Sequence, residues 1–140
     1  MDLLVNKAKE MLIQENYTCV IINNKNIYTS RDRGVKPLLD WYGTVNLQGA
    51  SAADKVVGKA AAFLYVLLKV KEVYAGVISE PAYKVLLDYN INVTYDKKVK
   101  AIQNRDKTGF CPMETAVWNI NNPNNAYNAI IEARKKLMNK

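Results

Sequence analysis

The sequence predicts a single α/β domain over residues 1–140, built on a mixed sheet of four or five strands. Three observations predict it. Residues 53–68 (ADKVVGKAAAFLYVLL) are apolar on nearly every side, the pattern of a helix buried at the centre of a domain. Two short β-branched and aromatic runs, YTCVII and IYT, flank a polar NNKN link, which reads as an antiparallel hairpin. Finally, EVYAGVI, a Ser-Glu-Pro helix start and INVTY follow one another closely. That order is a strand–helix–strand unit, so its two strands should be parallel.

Each element has a local reason. Residues 2–15 place Leu3, Leu4, Ala8, Met11 and Leu12 at helical spacing, with Lys7, Lys9 and Glu10 outside, giving an amphipathic helix. Cys19 falls in the first hairpin strand and is expected to be a small core residue. Residues 35–42 form a short helix with Pro37 in its first turn. Ser51-x-x-Asp54 resembles a capping box with Asp in place of Glu, and starts the central helix. Glu72 to Ile78 is nearly continuous in apolar, β-branched residues, as an interior strand is. Ser79 caps the next helix, which Pro81 enters early and Asn90 ends. Residues 91–95 form the next strand, and residues 96–102 are expected to make a helical turn or two. Cys111-Pro112-Met113-Glu114 opens a helix to about Ile120, with Glu114 expected to cap it. A last amphipathic helix covers residues 125–138.

Composition narrows the function. A chain of 140 residues with 49% hydrophobic and 24% charged residues buries enough surface to need no metal or disulfide. The longest uncharged run of the central helix, residues 60–68, falls far short of the ~20 a bilayer requires. No signal peptide is recognisable at the start, so a cytoplasmic location is expected. The chain has no histidine, which removes Ser-His-Asp and Cys-His catalysis and any imidazole zinc site. Two cysteines allow one disulfide at most, and no cofactor is implied. The net charge of +7 favours anionic partners, although Arg134, Lys135, Lys136 and Lys140 contribute much of it from the C-terminal helix.

Three polar clusters fall at turns: Arg31/Arg33/Gly34, Asp54/Lys55/Gly58/Lys59 and Asn104/Arg105/Lys107. Turns beside helix N-termini bind phosphate in α/β folds because free N–H groups and the helix dipole meet there. No Walker A or G-x-G-x-x-G sequence is present. If residues 53–68 are one helix, Lys55 and Lys59 share a face. Asp54, Lys55 and Lys59 are then expected to line one pocket with Arg31 or Arg33. Gly58 would admit a ligand to the backbone, and Glu80 or Asp54 could pair with Lys59. Asp54 is a candidate general base, and Cys111, before Pro112 at a helix start, is a candidate nucleophile.

Four blocks carry a resemblance: YTSRDRGVKPL (28–38), ADKVVGKAAA (53–62), VISEPA (77–82) and CPME (111–114). In this order they resemble a small prokaryotic family of unknown function placed among cytidine-deaminase-like folds. The resemblance implies a three-layer α/β/α sandwich with a pocket at the entrances of two helices. Zinc deaminases carry H-x-E or C-x-E and then P-C-x-x-C at those entrances. The corresponding positions here are Ala53-Asp54-Lys55-Val56 and Ser79-Glu80-Pro81-Ala82-Tyr83, with no ligand at either, so neither zinc nor deamination is expected. The function expected is a non-catalytic or regulatory module binding a nucleotide or similar phosphate-bearing ligand. The alternatives are a zinc-independent enzyme using Cys111 or Asp54, and a nucleic-acid-binding protein. The last is disfavoured because aromatics do not interleave with basic residues along the chain. A membrane partner is not expected, and a homo-oligomer is open.

Overall fold

The structure, a computed structural model, describes residues 3–32, 34–102 and 111–138. Arg33 and the Asn104/Arg105/Lys107 cluster lie outside the described residues. Eleven elements follow one another among those described. They are α1 (Leu3–Gln14), β1 (Cys19–Asn23), β2 (Asn26–Ser30), α2 (Lys36–Trp41), β3 (Ser51–Val57) and α3 (Lys59–Leu68). Then come β4 (Glu72–Ser79), α4 (Glu80–Asp88), β5 (Asn92–Val99), α5 (Pro112–Val117) and α6 (Pro123–Met138). The strands form one mixed sheet in the order β2-β1-β3-β4-β5. The hairpin and the β1–β3 pair are antiparallel, whereas β3, β4 and β5 are parallel.

Helix α1 covers one face of the sheet. Its Val5, Ala8 and Leu12 pack on Val20, Ile22, Ala53 and Tyr74. The opposite face carries the larger core, in which Phe63, Leu64, Tyr65 and Leu68 of α3 meet Ile21, Ala52, Val73, Ala75 and Ile78 of the sheet. Val85 and Leu86 of α4, Val117 of α5 and Ile130 of α6 close that core from outside. Burying side chains of this size is worth about 1.5–3 kcal/mol each. Among the described residues no helix is long and apolar enough to cross a membrane.

The central segment differs from its sequence reading. Residues 53–57 are the inner strand β3, and the helix starts only at Lys59, after Gly58 in extended conformation (φ −92°, ψ 178°). An interior parallel strand is apolar on both faces and so imitates a buried helix in one dimension. Ser51 caps nothing; its hydroxyl donates to Glu72 inside the sheet. The helical turn expected over residues 96–102 is also replaced. Asp96 to Val99 extend β5, with Lys97, Lys98 and Val99 paired to Val77, Ile78 and Ser79. Charged residues suit this strand because it is an outer edge, where lysines discourage pairing with other chains.

The strands change facing at one level. Ladder pairing runs from Asp54↔Ala75 directly to Val56↔Val77. Ala75 and Ile78, three residues apart, both join the larger core. At this level Gly76 comes so close to β3 that a Cβ would stand 2.8 Å from the Lys55 carbonyl oxygen. The register is the same on either side of this level, and both Asp54 and Val57 face α3.

Candidate functional site

Topology gathers the polar segments at one edge of the sheet. Strands β3, β4 and β5 all point their carboxyl ends there, and β2, antiparallel to β1, points the same way. The segment after β2, the β3–α3 junction and the β4–α4 junction therefore share this edge. In open α/β sheets this is the edge that offers ligands its helix N-termini.

The centre of the edge is occupied by Glu114. This side chain is 1% exposed, and its Oε1 accepts the backbone N–H of Lys59, the first residue of α3. Helix α3 has no side-chain cap of its own, so a carboxylate from α5 satisfies one of its free N–H groups and meets the positive end of its dipole. Gly58 makes room for it: a Cβ there would stand 2.7 Å from Oε1 and 2.9 Å from the carboxyl carbon. Oε2 is buried without a hydrogen-bond partner among the described residues. Burial raises the Glu114 pKa, and the Lys59 amide, then the Ile102 amide, the Ser79 hydroxyl and the Ala60 amide pull it partly back, although none of these meets hydrogen-bond geometry to Oε2. Glu114 thus caps α3 and not its own helix, and the reading of the CPME block is corrected. The cue in the sequence is Gly58-Lys59, a helix start without a capping residue.

Lys59 lies beside it, 7% exposed. Its ammonium donates to the Trp118 carbonyl at 2.8 Å and stands 5.8 Å from the centre of the Phe63 ring. Burial lowers its pKa, while the charge of Glu114 opposes the shift. Ser79 caps α4 by accepting the Ala82 N–H at 3.2 Å. Glu80 opens the same helix and is exposed.

The other predicted residues are placed elsewhere, because 54–57 is a strand that sends Lys55 to the sheet face opposite Asp54. Lys55 points to the α1 side and donates to Asn16 Oδ1 at 2.6 Å. Arg31 is on that side too, stacked 4.3 Å from the centre of the Tyr17 ring and bonded to the Glu15 carbonyl at 2.9 Å. Lys55 and Lys59 therefore do not share a helical face, and the single pocket expected for Asp54, Lys55, Lys59 and Arg31 is divided by the sheet.

Asp54 is buried in a third place. Its Oδ2 accepts the Tyr65 hydroxyl at 2.7 Å, and Oδ1 accepts the Val56 N–H at 3.3 Å. Cys19 Sγ lies 3.3 Å from the Tyr65 oxygen. Burial pushes the Asp54 pKa up to about 7, with the Tyr65 hydrogen bond acting against it. Burial likewise raises the Cys19 thiol and the Tyr65 phenol, and the charge of Asp54 adds to both. This thiol–phenol–carboxyl chain links β1, α3 and β3 and had no signature in the sequence. Cys111 is half-buried at the N-cap of the six-residue α5. Among the described residues, no group of three or more His, Cys, Asp or Glu side chains is placed to hold a metal ion.

Comparison with known proteins agrees with this architecture. The crystal structure of a DUF1893 family protein (TM1506) from Thermotoga maritima superposes with a TM-score of 0.85 at 28% identity, over 97% of this chain and 91% of that one. No curated protein matches the chain. The family described as TM1506, domain of unknown function (DUF1893), matches residues 7–133. The chain belongs to that family.

Proposed function

We propose that the protein is a non-catalytic or regulatory module that binds a nucleotide or a similar phosphate-bearing ligand at the carboxyl edge of β3, β4 and β5. The observation that carries this reading is Glu114: one carboxyl oxygen is held by the start of α3, and the other is buried with no partner among the described residues. A buried acceptor left unpaired costs about 1–3 kcal/mol, which a ligand's N–H or O–H donor recovers. Lys59 supplies the neighbouring positive charge for a phosphate. A nucleotide carries both groups.

The hairpin, the three parallel strands and the two helix entrances support a cytidine-deaminase-like reading of the fold. Zinc deamination is not part of the proposal. The chain has no histidine, and the helix entrances read Gly58-Lys59-Ala60 and Ser79-Glu80-Pro81-Ala82-Tyr83. A nucleic-acid reading has one observation in its favour: Lys98 stands 4.7 Å from the Tyr83 ring centre and 5.8 Å from that of Tyr95.

A thermal-shift screen with nucleoside mono-, di- and triphosphates, ribose 5-phosphate and single- and double-stranded oligonucleotides tests the proposal. Stabilisation by nucleotides, lost in Lys59→Met and in Glu114→Gln, is expected. A chain stabilised only by oligonucleotides, or by none of these compounds, refutes it.

A further inference from the structure

A second place in the molecule has the form of a binding site, on the opposite face of the sheet. Between α1 and the edge strand β5 there is a cavity of about 110 Å³ whose polar lining comes from Asn6, Lys9, Tyr74, Thr94 and Asp96. Tyr74 organises it. The Lys9 ammonium stands 4.6 Å from the Tyr74 ring centre, and the Tyr74 hydroxyl donates to Asp96 Oδ2 at 2.5 Å. The tyrosine itself is 4% exposed and packed among Val5, Ala8 and Ala53, so its position is set by the core.

One rigid ring thus holds a cation at its face and an anion at its hydroxyl end. The two charges line the same cavity, yet Lys9 and Asp96 form no ion pair with each other or with any other described residue. Oδ2 of Asp96 is taken by Tyr74, leaving Oδ1 for another donor. The Tyr74 pKa is pushed up to about 12 by burial and then by Asp96, so the phenol keeps the proton that holds this carboxylate.

We propose that this cavity binds a small zwitterion of the α-amino-acid class, its carboxylate against Lys9 and its ammonium against Asp96. Size agrees: a cavity of about 150 Å³ accommodates the six heavy atoms of benzene, so this one, of about 110 Å³, suits a molecule of roughly four to five, the size of glycine. Charge agrees as well. A ligand of one sign leaves the opposite wall uncompensated, whereas a zwitterion satisfies both walls and brings no net charge. Asn6 and Thr94 add polar groups that can hydrogen-bond either end.

Isothermal titration calorimetry of the full chain with glycine and L-alanine tests this site, with glycinamide and propionate, both the size of glycine, as arms carrying one charge each. Saturable binding of at least one amino acid is expected, weakened tenfold or more in Asp96→Asn and in Lys9→Met, and lost for both one-charge analogues. Asp96 is exposed and Lys9 half-buried, and unchanged thermal unfolding of each variant will show that the fold is kept. Absence of saturable binding by both amino acids overturns the proposal. So does binding of glycinamide or propionate as tight as that of glycine, or amino-acid binding that neither substitution weakens. Competition by nucleotides is not expected, because their proposed site lies at the carboxyl edge.

Discussion

At the scale of single residues, the most consequential group is Asp54, a carboxyl buried beside a phenol and a thiol without an opposing charge. Its pKa stands near 7 in the folded chain against about 3.9 for an ordinary aspartate. The folded state therefore binds more protons than the unfolded state between these values, and stability falls as pH rises through them. Across that window the loss from this group amounts to about 4 kcal/mol at most. Urea unfolding of wild type and Asp54→Asn at pH 4.5 and pH 7.5 checks it. The wild type should lose more stability on going to pH 7.5 than the variant does. Glu114, also raised by burial, adds a slope of the same sign to both proteins, so the difference between them isolates Asp54. Tyr65→Phe removes the hydroxyl that serves Asp54 and faces Cys19, and should cost about 1–3 kcal/mol. If Tyr65→Phe unfolds at the same urea concentration as wild type, the buried chain contributes nothing.

At the scale of elements, two glycines hold the architecture for different reasons. Gly76 lies against backbone, so the Cβ of Gly76→Ala meets the Lys55 carbonyl at 2.8 Å and β3 must shift. Destabilisation toward the upper end of about 1–3 kcal/mol is expected, read by chemical denaturation. Gly58 lies against the Glu114 side chain. Gly58→Ala and Glu114→Ala should each destabilise the junction of α3 and α5, but the double variant should cost clearly less than the two together, because both act on one contact. Strict additivity in this cycle will mean that Glu114 does not cap α3. Ser79→Ala removes the only side-chain cap of α4 found among the described residues, at about 0.5–2 kcal/mol.

For the whole molecule, the two cysteines report on packing. Cys19 is buried and Cys111 half-buried, and both are free. A thiol reagent should therefore titrate one group quickly in the native protein and the second only on unfolding; two equally fast thiols will show that β1 is not enclosed as described. The sequence by itself determined the α/β class, the hairpin, the parallel β4–α4–β5 unit, the start of α4 and the amphipathic helices α1 and α6. These follow from periodicity, turn residues and capping, all of which act within a few residues. It also determined that this chain supplies no imidazole, since composition alone decides that. Only the tertiary structure decided that residues 53–57 are a strand, because so short a run, with Ala53, Asp54 and Val57 buried and Lys55 and Val56 exposed, has no period to separate it from the apolar helix that follows. The same holds for the charged end of β5, which is a strand by its pairing with β4 and not by its composition. Only the tertiary structure brought Glu114 to Gly58 and Lys59, Tyr65 to Asp54 and Cys19, and Asp96 to Tyr74 and Lys9. Each of these groups joins residues from separate elements, and such proximity is set by how strands and helices pack, which no local rule encodes.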